Sequence, residues 1–182
     1  VGTGRPNAAG VPYIVVERPC AGAAGGRGNG ALMINPDSGG IHIVEHKDEV
    51  ILAGERGGVR HVHMDGRPHP PANRRVPTAA GHSIGRYEGT ALIVETVGLT
   101  PGNVVAGGMR TPETRLVERF EVSPDGQTMT IAYRWEDPKI YRTPHTYTYV
   151  FDRLPEGSYA FEDWCDASDP VEKQSIVPPE QR

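Results

Sequence analysis

Apolar and polar residues alternate with a period of two along most of this chain, the spacing of strands whose successive side chains point to opposite faces. From Ala31 onward the runs ALMIN (31–35), IHIVEH (41–46), EVILAGE (49–55) and VRHVHM (59–64) follow closely, separated by PDSGG, a Lys47-Asp48 turn and RGG. These separators are turn formers, so the runs predict antiparallel neighbours. YIVVE (13–17) predicts an earlier strand. Beyond a Pro/Arg-rich bend come GHSIGRYEGTALIVET (81–96), folding at Gly89-Thr90, then TRLVERFEV (114–122), TMTIAYRW (128–135), HTYTYVFDRL (145–154) and SYAFEDWC (158–165). Asp125-Gly126 between two such runs predicts a hairpin. No segment carries the 3.6-residue period of an amphipathic helix.

About ten short strands joined by tight turns must close a sheet or stack two, because an open sheet exposes long edges. The expected fold is all-β: a single-domain, antiparallel up-and-down β-barrel of calycin or lipocalin type, with a β-sandwich as the alternative. One domain over residues 1–182 suits the length, with a loose N-terminal arm (about 1–12) and a C-terminal tail (about 169–182). The 23 glycines and 17 prolines fit many turns. Residues 19–30 are glycine-rich but lack the GxxxxGK[ST] pattern, so a flexible loop is expected there rather than a phosphate cradle.

A formal charge of −4, with acids and bases interspersed, provides no basic stripe for nucleic acid and no polybasic membrane signal. No apolar run approaches the roughly 18 residues that span a bilayer. No basic-then-apolar leader opens the sequence, as expected of a processed chain. The two cysteines, Cys20 and Cys165, could close one long loop or be unrelated buried thiols. Neither has the spacing of a thiolate zinc site.

Alternation assigns the polar side chains to faces. Val59, His61, His63 and Asp65 share one side, with Arg60, Val62 and Met64 opposite. The His61/His63 pair has a chelating spacing and resembles the HxH of cupins, but Pro68 stands where the following glutamate would fall. A metal there would require His69, His82 or His145 to converge, and surface or structural histidines are the expected reading. His82, Ile84, Arg86 and Glu88 form another face. Glu118 falls among Leu116, Phe120 and Val122, where a carboxyl must be paired or protonated; it is a candidate acid or base, or a structural partner of Arg86 or Arg119. Met129, Ile131, Tyr133 and Trp135 line one face of the next strand, Asp137 reads as a turn former, and His145, Tyr147, Tyr149 and Phe151 make an aromatic stripe.

In order, MDGRPHP (64–70), GHSIGRYEGTALIVET (81–96), LVERFEV (116–122), EDPKIYRTP (136–144) and RLPEGSYAFEDWC (153–165) resemble an uncharacterised family of bacterial secreted β-rich proteins. Its members carry DGRpHP, GhSiGrWEGdtLvvdT, vERf and DPk-Y-P motifs. The resemblance implies export, a secreted or periplasmic location and, with it, a Cys20–Cys165 disulfide; it carries no established activity. Asp65, Arg67, His69, His82, Arg86 and Glu88 match the family motifs, whereas Tyr87 and Thr90 replace the usual Trp and Asp. His61 and His63 fall where the family commonly has an aliphatic and an aromatic residue.

The expected function is cofactor-independent acid–base catalysis of isomerase, cyclase, lyase or hydratase type on a small, largely apolar molecule inside the barrel. Such chemistry requires a positioned proton donor and acceptor in a dry cavity. His61 or His63 with Glu118 would move the proton, Arg86 or Arg67 would steady negative charge, and Tyr133 or Tyr147 would donate. His69, His82, Glu88, His145 and Trp135 would complete the ligand wall. The rivals are a lipocalin-like binding protein for a hydrophobic ligand, a metal-dependent enzyme built on His61/His63, and a structural envelope protein. Small-molecule ligands are the expected partners, with self-association as a further one, and neither nucleic acid nor membrane insertion is expected. No serine elbow, Walker loop or dinucleotide fingerprint is present.

Overall fold

The computed structural model describes residues 41–54, 58–104 and 108–158. Ten strands occur there: β1 (Ile41–His46), β2 (Glu49–Gly54), β3 (Gly58–His63), β4 (His82–Glu88), β5 (Ala91–Val97), β6 (Gly102–Val104), β7 (Gly108–Arg110), β8 (Arg115–Val122), β9 (Thr128–Glu136) and β10 (His145–Asp152). Eight form one sheet in the order β1-β2-β3-β4-β5-β8-β9-β10, and β6 and β7 pair separately as a small hairpin that the alternation did not predict. The single helical element among the described residues is the 3-10 turn Ala72–Arg74.

The all-β expectation is met, and the strand runs from residue 41 to 152 fall within a residue or two of their expected limits. The uniformly antiparallel meander is not met. β3 and β4 are parallel, with Val62 opposite Ser83 and His63 opposite Ile84. The reason is the 64–81 connection, which carries the chain back along the sheet before β4 begins. The sheet is therefore mixed, and it curls into an open half-barrel with β1 and β10 at its two margins. Tyr87 on β4 hydrogen-bonds Glu45 on β1 across two intervening strands, a side-chain expression of the curl. The expected strands at 13–17, 31–35 and 158–165, both cysteines, the arm and the tail lie outside the described residues.

The strand registers convert alternation into two faces. On the inner face Thr96 lies opposite Leu116, which lies opposite Trp135, and Val94 leads to Glu118 and Tyr133 in the same way. One step along, Leu92, Phe120 and Ile131 align. With Val50, Leu52 and Val62 these side chains form the buried core, each fully buried Leu, Ile or Val contributing about 1.5–3 kcal/mol relative to exposure. Tyr133 stacks on Tyr147 at 5.0 Å between ring centres, and Trp135 Nε1 donates to Tyr147 Oη at 3.0 Å. The aromatic stripe of β10 thus packs against the core.

The Asp125-Gly126 hairpin forms as expected, with Gly126 at φ 69° and Asp125 accepting from Gln127 N and Ser123 Oγ. Asp137 is a buried clamp as well as a turn former. Its carboxylate accepts from Thr111 N at 3.0 Å, Thr111 Oγ1 at 2.7 Å and Lys139 N at 2.9 Å, and also from Thr114 Oγ1. These bonds fix the start of β8 to the end of β9.

Candidate functional site

The outer face brings together three histidines that the sequence distributes over twenty residues. His63 ends β3, His82 begins β4, and His69 hangs from the bend between them. The His63 and His82 rings lie 5.1 Å apart, as do those of His69 and His82. His69 Nδ1 and His82 Nδ1 are 2.9 Å apart, a hydrogen bond that requires one bare and one protonated nitrogen.

Local chemistry sets each position. In DGRPHP, Arg67 Nε lies 2.8 and 2.9 Å from the two Asp65 carboxylate oxygens, and Arg67 N donates to Asp65 at 3.2 Å. This side-chain hydrogen bonding holds the Asp65 carboxyl down at about 2. Arg75 Nε donates to Pro70 O at 2.7 Å, and Thr78 is pinned to the end of β5 through Gly98 O and Thr100 N. The bend is closed at both ends, and His69 projects from its middle. Gly81 stands just before His82 at φ 67°, where a Cβ would meet Val97 O at 2.7 Å and Leu99 Cδ2 at 2.8 Å. Only glycine fits this approach. The buried Ser83 Oγ–Thr96 Oγ1 bond at 2.8 Å then locks β4 to β5 in register.

Behind His69 stands Glu95 of β5, with its Oε1 3.6 Å from His69 Nε2. That is a charge contact, longer than a hydrogen bond. Glu95 is held by Arg115, which also binds Glu136 at 2.7 Å. Hydrogen bonding from Arg115 lowers the Glu95 pKa, so the carboxylate is anionic. Burial lowers the pKa of His69, opposed by Glu95 and reinforced by His82, Arg75 and Arg115. Burial also lowers that of His82, together with His63, Arg67 and Arg75. Both rings are accordingly neutral near pH 7.

One tautomer assignment fits both the His69–His82 hydrogen bond and the Glu95 charge. The anionic Glu95 selects His69 Nε2–H, His69 Nδ1 then accepts, His82 Nδ1–H donates to it, and His82 Nε2 is left with a lone pair. His69 Nε2 is buried and without a hydrogen-bond partner, and it faces the Glu95 carboxylate at 3.6 Å. The arrangement can take up a proton at His82 and spread the resulting positive charge toward a carboxylate.

The other expected site residues lie elsewhere. His61 is exposed on the outer face, its Nδ1 2.8 Å from Glu49. Glu118 is on the inner face, fully buried and doubly bonded by Arg60 at 2.7 and 3.0 Å. The sheet therefore separates His61 and His63 from Glu118, and neither Arg86 nor Arg119 is its partner. Burial raises the Glu118 pKa against the pull of Arg60. Tyr133, its hydroxyl pKa raised by burial, and Trp135 are sealed in the core. Tyr147 is half-buried beside them, and His145 is exposed and stacks on Tyr141. Arg86 pairs with Glu88 at 2.6 Å, and Glu88 also meets Arg119 at 3.4 Å. Among the described residues no group of three or more His, Cys, Asp or Glu side chains has the geometry to hold a metal ion.

Sequence reasoning missed Glu95, Arg115 and Arg60. Alternation within β5 puts Glu95 on the face away from Leu92 and Val94, but only the β4–β5 register places that face beside the histidines. Arg60 carries a usable signal, since it shares a face with Val62 and Met64 as Glu118 does with Leu116 and Phe120. Comparison of the chain with protein-family models, with curated proteins and with solved structures returns no match.

Proposed function

We propose that the chain is an acid–base enzyme in which His82 exchanges a proton with a small molecule, backed by His69 and Glu95. The observation that carries this reading is the 2.9 Å contact between His69 Nδ1 and His82 Nδ1 with Glu95 behind it. A neutral imidazole near pH 7 is matched to abstracting a weakly acidic proton and returning it elsewhere, the chemistry of isomerases, lyases and hydratases. Relative to the expected His61/His63–Glu118 set, the base moves to His82, and the supporting carboxylate is the anionic Glu95 behind His69. The substrate approaches the outer face rather than the filled interior. In this reading Arg60–Glu118 supports the sheet.

A second reading, a non-catalytic binding protein of lipocalin type, is favoured by the half-barrel curl. Completion of that curl into a calycin-like barrel, membership of the secreted family that the motifs resemble, and a secreted or periplasmic location belong to the same proposal. They rest on motif order and strand pattern.

The test uses solvent isotope. The native chain is incubated in D2O with a mixture of small oxo acids, hydroxy acids and enones, and deuterium incorporation and conversion are followed by mass spectrometry. The expected result is label uptake or conversion of at least one component, abolished in His82→Ala and retained in His61→Ala. Equal behaviour of the native chain and His82→Ala would favour the binding reading.

A further inference from the structure

The ladder step next to the histidines opens into a groove of about 620 Å³ on the same outer face, within the range of small-molecule sites. Strand register explains its composition. Arg86, Ile93, Arg119 and Ala132 lie opposite one another across β4, β5, β8 and β9. One step back, Glu95 lies opposite Val117, which lies opposite Arg134. Ile93, Val117 and Ala132 supply an apolar floor, and Arg86, Arg119 and Arg134 rise around it. The Glu95 that backs His69 belongs to the row that bounds this floor, so groove and histidines are about 7 Å apart along the strands.

Three arginines and one glutamate, Glu88, line the groove; Glu88 is shared by Arg86 and Arg119, and Arg119 also binds Glu121 at 2.7 Å. Arg134 binds Glu136 through Nε, and its two terminal nitrogens make no hydrogen bond among the described residues. Arg86, Arg119 and Arg134 are all substantially exposed. Exposed pairs of this kind hold weakly and exchange readily for a ligand carboxylate, which a guanidinium can grip through two parallel N–H bonds.

We infer that this groove binds a small monocarboxylate with an apolar chain or ring, its carboxylate among Arg119 and Arg134 and its apolar body on Ile93, Val117 and Ala132. That this anion is also the substrate rests on the acid–base reading above; the binding itself rests on the groove.

Titration of the intact chain with octanoate, 1-octanol and acetate, followed by amide NMR shifts, tests it. Octanoate is expected to bind saturably, at least tenfold tighter than octanol or acetate, shifting Ile93, Arg119 and Ala132. Arg119→Ala/Arg134→Ala is expected to weaken octanoate at least tenfold, and Ala132→Trp to fill the floor and abolish binding, with thermal unfolding confirming that both variants fold. Octanol binding as tightly as octanoate, or octanoate binding unchanged in both variants, overturns the inference. The two readings separate on the native chain: octanoate binding without deuterium uptake in D2O leaves the groove standing, and deuterium uptake without octanoate binding leaves the histidine chemistry standing.

Discussion

Arg60 and Glu118 form a two-pronged ion pair at 2.7 and 3.0 Å, buried on the inner face, although β4 and β5 lie between their strands. On a flat sheet β3 and β8 would be about 14 Å apart. The pair exists because the sheet curls, and it braces that curl. Removing one partner strands a charge where water cannot reach it, so Glu118→Ala or Arg60→Ala is expected to cost about 3–5 kcal/mol. Replacing both by apolar residues of similar size, Arg60→Met with Glu118→Leu, is expected to recover most of that loss. Urea unfolding of the three variants checks it. A double variant as unstable as the singles would show that the pair has a role beyond charge compensation.

Gly81 fixes where β4 begins and hence where His82 stands. A methyl group at this position adds strain at positive φ to contacts under 3 Å with Val97 O and Leu99. Gly81→Ala is expected to destabilise by about 2 kcal/mol or more and to part His69 from His82. Thermal unfolding reads the first effect, and the imidazole nitrogen shifts of the two rings read the second.

Much of the fold was legible because alternation is a local signal. Every strand from β1 to β5 and from β8 to β10 could be read from it, and so could the faces, since Leu116, Glu118 and Phe120 do point inward together. The parallel β3–β4 pair was not legible, because direction depends on the path of the 64–81 connection and not on the residues of either strand. The site divided along the same line. His69 and His82 belong to recognisable turn and strand patterns, but their contact is made by a bend closed through Asp65–Arg67 and Arg75–Pro70. Glu95 required the β4–β5 register, which no periodicity within a single strand contains.

Asp137 should behave as a structural acid. Burial opposes its ionisation, yet hydrogen bonds from Thr114, Thr111 and the Lys139 and Thr111 amides hold its pKa below the usual value. A carboxyl with a lowered folded pKa contributes stability that is present above about pH 4 and is lost as the pH falls through the folded value. Asp137→Ala also strands the Thr111 and Thr114 donors, and a loss of about 3 kcal/mol at pH 7 is expected. The variant should lack the part of the acid-induced loss below pH 4 that Asp137 contributes to the native chain. Urea midpoints measured between pH 7 and pH 3 on both proteins decide this.

His69 and His82 should make the folded chain sensitive to mild acid. Both have pKa values lowered by burial, so below about pH 6.5 the unfolded chain binds protons that the folded one resists. The contribution of the pair is therefore fully present above that pH and declines as the pH falls toward and through the lowered folded values. Glu95 moderates the decline by favouring a proton on His69, while His63, Arg67, Arg75 and Arg115 sharpen it. Protonating both rings leaves two donors facing each other at 2.9 Å, so the contact opens as stability falls. Unfolding temperatures measured from pH 8 to pH 5 should drop in the native chain and flatten in His82→Gln, which keeps a polar side chain but carries no titratable group. A slope identical in the two proteins would assign the acid sensitivity to other histidines and remove the shared proton from the proposed site.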